Sequence, residues 1–153
     1  MAITPTKEQF TELAEGRPDG EVVMINLLHF DRSGTENEAN DDGSGGSPGE
    51  NVGQDAYRDY SDQVITMVEA RGGKLLWVGR PEQVLIGDSE ADAWDMVALV
   101  SYPNRAAFID MVTSPSYGKA HVDRERGLDR TVLLACEPAS GALPRGEERA
   151  AGA

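Results

Sequence analysis

The sequence predicts one α+β domain built from two strand–helix–strand units that share a sheet. Two observations favour this class. The chain has 153 residues, a length that suits a single hydrophobic core rather than two. Along it, apolar runs of strand length alternate with segments whose apolar residues recur every three or four positions, as in an amphipathic helix. We therefore expect strands and helices to follow one another within one folded unit.

The N-terminal part predicts a short helix and a buried strand. Thr6 can cap the helix, Gln9 completes a capping box, and Gly16 with Pro18 ends it. We expect this helix to lie over the core as a lid. The apolar run at residues 21–30 has the length of one strand and predicts a strand that is covered on both faces.

Two segments carry too few apolar side chains to join a core. Residues 33–54 are rich in glycine and acidic side chains, and they predict a flexible acidic loop within the domain. Residues 139–153 are equally poor in core residues and predict a disordered tail. The folded domain is therefore expected within residues 1–138.

An amphipathic helix is expected in the middle of the chain. Apolar residues recur at helical spacing between Tyr57 and Val68, and Asp55 stands near the start. The pair Gly72 and Gly73 follows the last apolar residue, where helices commonly end. The helix therefore has one apolar face with which to cover a sheet.

Three apolar segments after this helix predict strands. Residues 74–80 and 83–88 are separated by Pro81, so they form either a pair of strands or one bent strand. Residues 94–102 are mostly apolar and form a further strand.

Two helical segments and a strand complete the domain. Asn104 can cap the first segment, and Ser114 with Pro115 begins the second. Residues 131–138 predict the last strand. Without the N-terminal helix, the order is β-α-β-β-α-β, which is the order of the ferredoxin-like α+β fold.

The predicted strands are apolar on both faces. In the run 22–30 and again in 94–102, both alternating sets of side chains are largely apolar. Because the helices of a ferredoxin-like fold cover one face of the sheet, the other face needs a cover, which the same face of a second subunit can supply. We expect a homodimer; the alternative is a monomer whose N-terminal helix covers that face.

The composition narrows the classes of partner. The chain carries 14 Lys and Arg against 27 Asp and Glu, a net charge of −13, which does not favour nucleic acid or an anionic membrane surface. No apolar run approaches a spanning helix, and the start lacks a secretory signal, so we expect a cytoplasmic protein. The single cysteine, Cys136, cannot form an internal disulfide. No phosphate-binding glycine motif or metal-ligand spacing occurs, so we expect neither a cofactor nor a metal.

Five parts of the sequence stand out together: VVMINLLHF, the tyrosines Tyr57 and Tyr60, GGKLLWVGRPEQVLIGD, WDMVALVSYPNRAAFIDMVTSPSY and DRERGLDRTVLLACEP. They resemble successive blocks of family 1330 of the domains of unknown function. The resemblance covers about residues 4–138, and its most specific parts are YP-x-R-x-x-F and P-x-Y. It implies a dimeric α+β barrel with a small-molecule pocket between sheet and helices in each subunit. The wider superfamily includes cofactor-free oxygenases, lactone isomerases, dehydratases and haem-degrading enzymes.

His121 is the candidate general base, because an imidazole titrates near neutral pH. Tyr117 and Arg124 share its helical face, and Arg124 could anchor a carboxylate or an enolate. The alternative is a solvated helix surface on which Arg124 pairs with a neighbouring acid. The resemblance leads us to expect a His-Arg pair in this helix, whereas the chain has Asp123 before Arg124.

Asn26 is a polar amide within an apolar strand, so it must be hydrogen-bonded. It could hold a substrate carbonyl or a developing oxyanion, or make a structural bond to backbone. Tyr57 and Tyr60 can offer phenol donors to the same ligand or pack in the core.

Three further residues are candidates for substrate binding. Trp77 and Trp94 could form walls of the pocket or parts of the core. Arg80 closes a strand and could attract an anion, or pair with a nearby glutamate.

These features predict a cofactor-independent enzyme that acts on a small carbonyl or phenolic metabolite by acid–base chemistry, in an isomerisation, cyclisation or elimination. One alternative is a cofactor-free monooxygenase, and another is a non-catalytic, small-molecule-binding or stress-associated dimeric module. A catalytic site requires His121, Asn26 and a tyrosine to converge on one cavity that solvent can reach.

Overall fold

The computed structural model describes residues 4–32 and 48–139. Its elements, in chain order, are the helix α1 Lys7–Glu15, the strand β1 Val22–Phe30, the helix α2 Pro48–Ala70, the strands β2 Lys74–Gly79 and β3 Met96–Tyr102, the helices α3 Arg105–Val112 and α4 Pro115–Gly127, and the strand β4 Leu128–Cys136. The strands form one antiparallel sheet in the order β2-β3-β1-β4. With α1 set aside, the β-α-β-β-α-β order confirms the predicted ferredoxin-like α+β fold.

Strand β1 lies in the middle of the sheet and places alternate side chains on opposite faces. Val22 and Met24 are buried against side chains of α2, and Leu28 with Phe30 forms a second buried group. The intervening side chains of β1 lie on the other face, which no described helix covers; we call this the outer face. The opposite, helix-covered face carries Asn26, which stands between Ala98 of β3 and Leu133 of β4 in the register.

Helix caps follow the predicted chemistry. Thr6 and Gln9 form the capping box of α1, Asn104 caps α3, and Ser114 caps α4 with Pro115 in its first turn. Helix α1 packs against α3 on the helix-covered side of the sheet. The monomer alternative requires α1 to cover the outer face, and α1 does not lie there.

Helix α2 begins earlier than expected. It starts at Pro48, so the part of the predicted loop between residues 48 and 54 is helical. Gly53 allows close packing here, because a Cβ at this position would lie 2.9 Å from the Asp31 backbone nitrogen and 3.0 Å from the Gly127 carbonyl oxygen. The rest of the predicted loop, residues 33–47, and the tail from residue 140 lie outside the described residues.

The connection between β2 and β3 corrects another prediction. Residues 83–88 form no strand, and β3 begins at Met96 rather than at residue 94. Gly87 has a φ of +133°, and the Asp88 carboxylate accepts hydrogen bonds from the Glu90 and Ala91 N–H groups. These hydrogen bonds form a turn directly after the apolar run. The strand that pairs with β2 is β3 and not residues 83–88.

None of the described helices combines the length and the apolarity that a bilayer-spanning helix needs.

Candidate functional site

A cavity of about 1090 Å³ lies between the sheet and the helices. Leu75 of β2 and Leu133 of β4 line it and remain exposed, so the cavity opens to solvent at both edges of the sheet. Seven of the predicted site residues line it: Asn26, Tyr57, Tyr60, Arg80, Tyr117, His121 and Arg124. Trp77 and Trp94 do not.

The aromatic side chains of α2 and α4 form a continuous row inside the cavity. The Tyr57 ring centroid lies 5.8 Å from that of Phe30 and 5.1 Å from that of Tyr60. The hydroxyl groups of Tyr60 and Tyr117 are hydrogen-bonded at 2.9 Å. The spacing of three residues in α2 places Tyr57 and Tyr60 on the same face, and Tyr117 continues the row from α4. The row ends at His121, whose ring lies 5.8 Å from that of Tyr117.

Burial keeps the phenols of Tyr57 and Tyr60 protonated. It raises the pKa of Tyr57 to about 12, although the nearby Arg124 guanidinium opposes the shift. Burial also raises the pKa of Tyr60 well above its ordinary value, helped by its neighbours Tyr117 and Tyr57. At neutral pH these side chains are therefore hydrogen-bond donors and not phenolates.

His121 is held in its neutral form. Burial lowers its pKa below 6.5; the carboxylate of Glu125 opposes this shift, and the positive charge of Arg124 adds to it. Nε2 lies 3.4 Å from Glu125 Oε1, and Nδ1 is buried with no hydrogen-bond partner among the described residues. The tautomer that satisfies Glu125 carries its proton on Nε2 and leaves a lone pair on Nδ1.

Arg124 is a buried cation. Only 6% of its surface is exposed, and its charge acts on Tyr57, Tyr60 and His121. The neighbouring acid Asp123 lies 3.2 Å from Arg126. The planar guanidinium has five N–H donors, and a carboxylate can bind such a group in a bidentate manner.

Asn26 lines the cavity from the sheet side. Its Nδ2 donates to the Met24 and Ala98 carbonyl groups, each at 3.3 Å. Both amide hydrogens are therefore used by strand backbone. The remaining polar atom, Oδ1, is an acceptor, which suits a ligand hydroxyl better than an oxyanion.

The two tryptophans lie elsewhere, and the assignment of Trp77 and Trp94 to substrate binding is not supported by their positions. A register shift between Leu75 and Trp77 leaves Leu75 on the cavity side and pairs Trp77 with Leu99 on the outer face. Without this shift, the side chains of Leu75 and Trp77 would lie on the same face, because alternate residues of a regular strand share a face. The Trp94 ring is covered by the Arg130 guanidinium at 4.2 Å.

Arg80 and Arg105 extend the site at its margins. Arg80 follows β2 and is exposed at the rim of the cavity. Arg105 was not singled out from the sequence as a site residue, although it is the arginine of the YP-x-R-x-x-F segment. Its Nε is buried and has no hydrogen-bond partner among the described residues.

Within the described ranges, no group of three or more His, Cys, Asp or Glu side chains is placed to hold a metal ion.

Comparison with solved structures finds a protein of unknown function from Rhodopseudomonas palustris, 29% identical, with a TM-score of 0.75 over 91% of this chain and 98% of that one. A hydroxynitrile lyase from Passiflora edulis is 12% identical, with a TM-score of 0.53 over 82% of this chain and 100% of that one. A Caulobacter crescentus protein provisionally named an antibiotic biosynthesis monooxygenase is 10% identical, with a TM-score of 0.50 over 80% of this chain and 92% of that one. The last two similarities concern the fold alone.

No curated protein matches the sequence. The family model described as "Domain of unknown function (DUF1330)" matches residues 51–137, which is more than half of the chain. This match agrees with the resemblance carried by the sequence blocks, and the chain belongs to the DUF1330 family.

Proposed function

We propose that this protein is a cofactor-independent enzyme that performs acid–base chemistry on a small carbonyl or phenolic metabolite. The observation that supports this function most is the composition of the cavity. A neutral imidazole, a row of protonated phenols and a buried guanidinium line one largely apolar space. These are a base, hydrogen-bond donors and an anion anchor, which proton transfer next to a carbonyl requires.

The proposed reaction begins with binding. The apolar body of the substrate packs against the sheet, and its acidic group binds Arg124. The imidazole of His121 then takes a proton from the carbon next to the carbonyl, and the electron pair of that C–H bond forms the enolate. A phenol of the tyrosine row donates a hydrogen bond to the enolate oxygen. In an isomerisation, the imidazolium returns the proton to another atom of the enolate. In an elimination, the electron pair of the enolate expels the leaving group, which takes the proton from the imidazolium.

Burial supports each of these roles. A hydrogen bond to a developing negative charge is stronger where water is excluded, and the donors do not have to reorient during the reaction. The pKa of Tyr57, raised to about 12, keeps its proton on the phenol while the oxyanion forms. The lowered pKa of His121 keeps the base unprotonated at neutral pH.

A second candidate is a non-catalytic module that binds a small molecule. Asn26 favours it, because both amide hydrogens of this side chain are engaged by backbone carbonyls. Such a module would bind the same ligands without moving a proton.

The proposal is tested with phenylpyruvate, an enolisable aromatic keto acid whose keto–enol conversion is followed by ultraviolet absorbance. We expect the wild-type protein to accelerate this conversion. The variant His121→Ala removes the base and should lower kcat by about 10²-fold or more. The variant Arg124→Gln removes the anion anchor and should mainly raise KM.

The matched control is His29→Gln, because His29 pairs with Asp129 at 2.6 Å and does not line the cavity. This variant should keep the wild-type rate. A wild-type protein that binds phenylpyruvate without accelerating the conversion would favour the binding module, and equal rates for wild type and His121→Ala would overturn the assignment of the base.

We also propose that two copies of the chain pair through their outer faces. Trp77, Val132 and Leu134 of this face are exposed apolar side chains, and half-buried apolar side chains of β1 and β3 lie between them. A contiguous apolar sheet face of this kind is usually covered, and a second copy offers a surface of the same character.

A further inference from the structure

A second guanidinium lines the cavity at the end opposite Arg124. Arg105 follows Tyr102, which pairs with the first residue of β1. Arg124 lies near the end of α4, where the Gly127 carbonyl accepts a hydrogen bond from Asp31 N–H just beyond the last residue of β1. The two cations therefore come from opposite ends of the central strand.

The protein uses little of the hydrogen-bonding capacity of Arg105. Nη1 donates to the Leu13 carbonyl at 3.4 Å, which is a long hydrogen bond. Nε is buried with no hydrogen-bond partner among the described residues, and none of their carboxylates forms an ion pair with this side chain. A guanidinium has five N–H donors, and a buried donor without an acceptor is unfavourable. The arrangement favours an acceptor that comes from outside the chain, and an anion satisfies it best.

The charge of the cavity lining is opposite to that of the whole chain. The chain has a net charge of −13. Among the described residues, and with His121 set aside, the charged side chains that line the cavity are those of Arg58, Arg80, Arg105, Arg124 and Glu12. Asp55 balances the first of these cations in an exposed ion pair. Arg80 and Arg105 add positive charge to this lining, and positive charge attracts anions from solution.

The space between the two guanidinium groups is apolar and long. Its lining there includes Met24, Val64, Ala98 and Val100. A volume of about 1090 Å³ slightly exceeds the 300–1,000 Å³ of most small-molecule sites. A compact metabolite bound at His121 and Arg124 would leave the Arg105 end unfilled.

We propose that Arg105 forms a second anion subsite and that the cavity binds an elongated dicarboxylic acid, with one carboxylate on Arg124, the other on Arg105 and an apolar body between them. The proposal rests on the proposed function, since it takes the cavity to be a ligand site. It names the class of substrate for that site.

Gly16 positions the Arg105 side chain. A Cβ at Gly16 would lie 2.8 Å from both Cζ and Nη1 of Arg105, so any larger residue displaces the guanidinium. The backbone of Gly16 has a φ of −72°, which alanine adopts without strain. Gly16→Ala therefore moves the second cation without removing its charge.

The test compares saturated dicarboxylates of eight and ten carbons with the monocarboxylates of the same lengths, by calorimetric titration of the full-length protein. We expect wild-type protein to bind the better dicarboxylate about tenfold or more tightly than its monocarboxylate. Arg105→Gln should abolish this preference, because it should weaken binding of the dicarboxylate far more than binding of the monocarboxylate. Arg105→Lys should keep part of the preference, and Gly16→Ala should reduce it.

Four other results have distinct meanings. Equal binding of mono- and dicarboxylates by wild-type protein overturns the Arg105 subsite and leaves the Arg124–His121 site standing. Equal weakening of both acids in Arg105→Gln, with a lower melting temperature of the free protein, shows that Arg105 only holds α1 and overturns the subsite too. A protein that binds no acid overturns the subsite and the proposed function together. A dicarboxylate preference lost in Arg105→Gln, in a protein that catalyses no proton transfer, supports the subsite and overturns the proposed function alone.

Discussion

Burial shifts the pKa of His121 and the pKa values of Tyr57 and Tyr60 in opposite directions. Desolvation lowers the pKa of the imidazole and raises that of the phenols, because it disfavours whichever form is charged. The base is therefore unprotonated and the acids are protonated across a wide range of neutral pH. One environment supplies both protonation states that a proton transfer next to a carbonyl needs.

The pH dependence of catalysis follows from these shifts. The rate of phenylpyruvate conversion should fall in acid with a midpoint below pH 6.5, the ordinary value for an imidazole. Tyr57 should contribute no loss of rate on the alkaline side until the pH approaches about 12. The measurement is kcat/KM against pH, together with an NMR titration of the His121 ring. A midpoint above 6.5 would contradict the account.

The same shift has a consequence for stability. The folded protein holds His121 neutral more strongly than the unfolded chain does, so between the two pKa values the unfolded chain binds more protons. The contribution of His121 to the free energy of unfolding is therefore complete above pH 6.5 and is lost as the pH falls through the folded pKa.

For individual residues, the sequence shows which side chains share one face of a helix or strand, but it does not show which groups surround them. The helical spacing of Tyr117, His121 and Arg124 predicted one face, and all three line the cavity. Arg105 was missed because only the three-dimensional structure shows a buried Nε without a partner. Trp77 was expected to form a pocket wall or part of the core because its apolar surface is large, and the sequence did not reveal the register shift in β2 that pairs it with Leu99 on the outer face.

Among the elements, strand β1 is stabilised by buried side chains of both core clusters. Leu28 has no exposed surface and packs with Phe30 and Leu128, which joins β1 to β4. Leu28→Ala should lower the free energy of unfolding by about 2–5 kcal/mol, because it leaves a cavity that the surroundings cannot fill. The matched control is Leu85→Ala, since Leu85 is 81% exposed and should change this free energy by about 0.5 kcal/mol or less.

Urea denaturation of both variants measures the difference. A loss for Leu85→Ala as large as that for Leu28→Ala would mean that the β2–β3 connection is packed in solution. That result would contradict the described exposure of this segment.

Helices and strands could be predicted where the capping residues and the spacing of apolar residues indicate the same element. Capping residues gave the starts of α1, α3 and α4 because each cap places an oxygen on a free backbone N–H. The start of α2 was missed because the glycines before it suggested mobility, whereas Gly53 serves a close approach to α4. Residues 83–88 were mistaken for a strand because a short apolar run does not reveal whether a partner strand exists.

For the molecule as a whole, the order of elements could be predicted, and the apolar character of both sheet faces followed from the alternation in β1 and β3. The sequence of one chain could not identify what covers the outer face. An apolar face indicates that a cover is needed, but it does not show whether that cover is a second copy of the chain. Pairing through that face therefore stays a prediction.

The homodimer is tested by adding a charge to the outer face. Trp77→Glu should convert a particle of about twice 16.5 kDa into a monomer, because a dimer would have to bury the new carboxylate. The matched control is Val122→Glu, since Val122 and Trp77 are each 55% exposed but Val122 lies on α4. Sedimentation velocity at micromolar concentration measures both. A wild-type monomer, or a Trp77→Glu variant that stays dimeric, would contradict this pairing.

The central claim is that the base, the phenols and the buried guanidinium act on one bound molecule, and a crystal structure of the complex with phenylpyruvate tests it most directly. We predict the carboxylate on Arg124, the keto oxygen within hydrogen-bonding distance of a tyrosine of the row, and the acidic carbon about 3–3.5 Å from the His121 ring. A ligand bound outside the cavity, or inside it with its acidic carbon turned away from His121, would contradict the account.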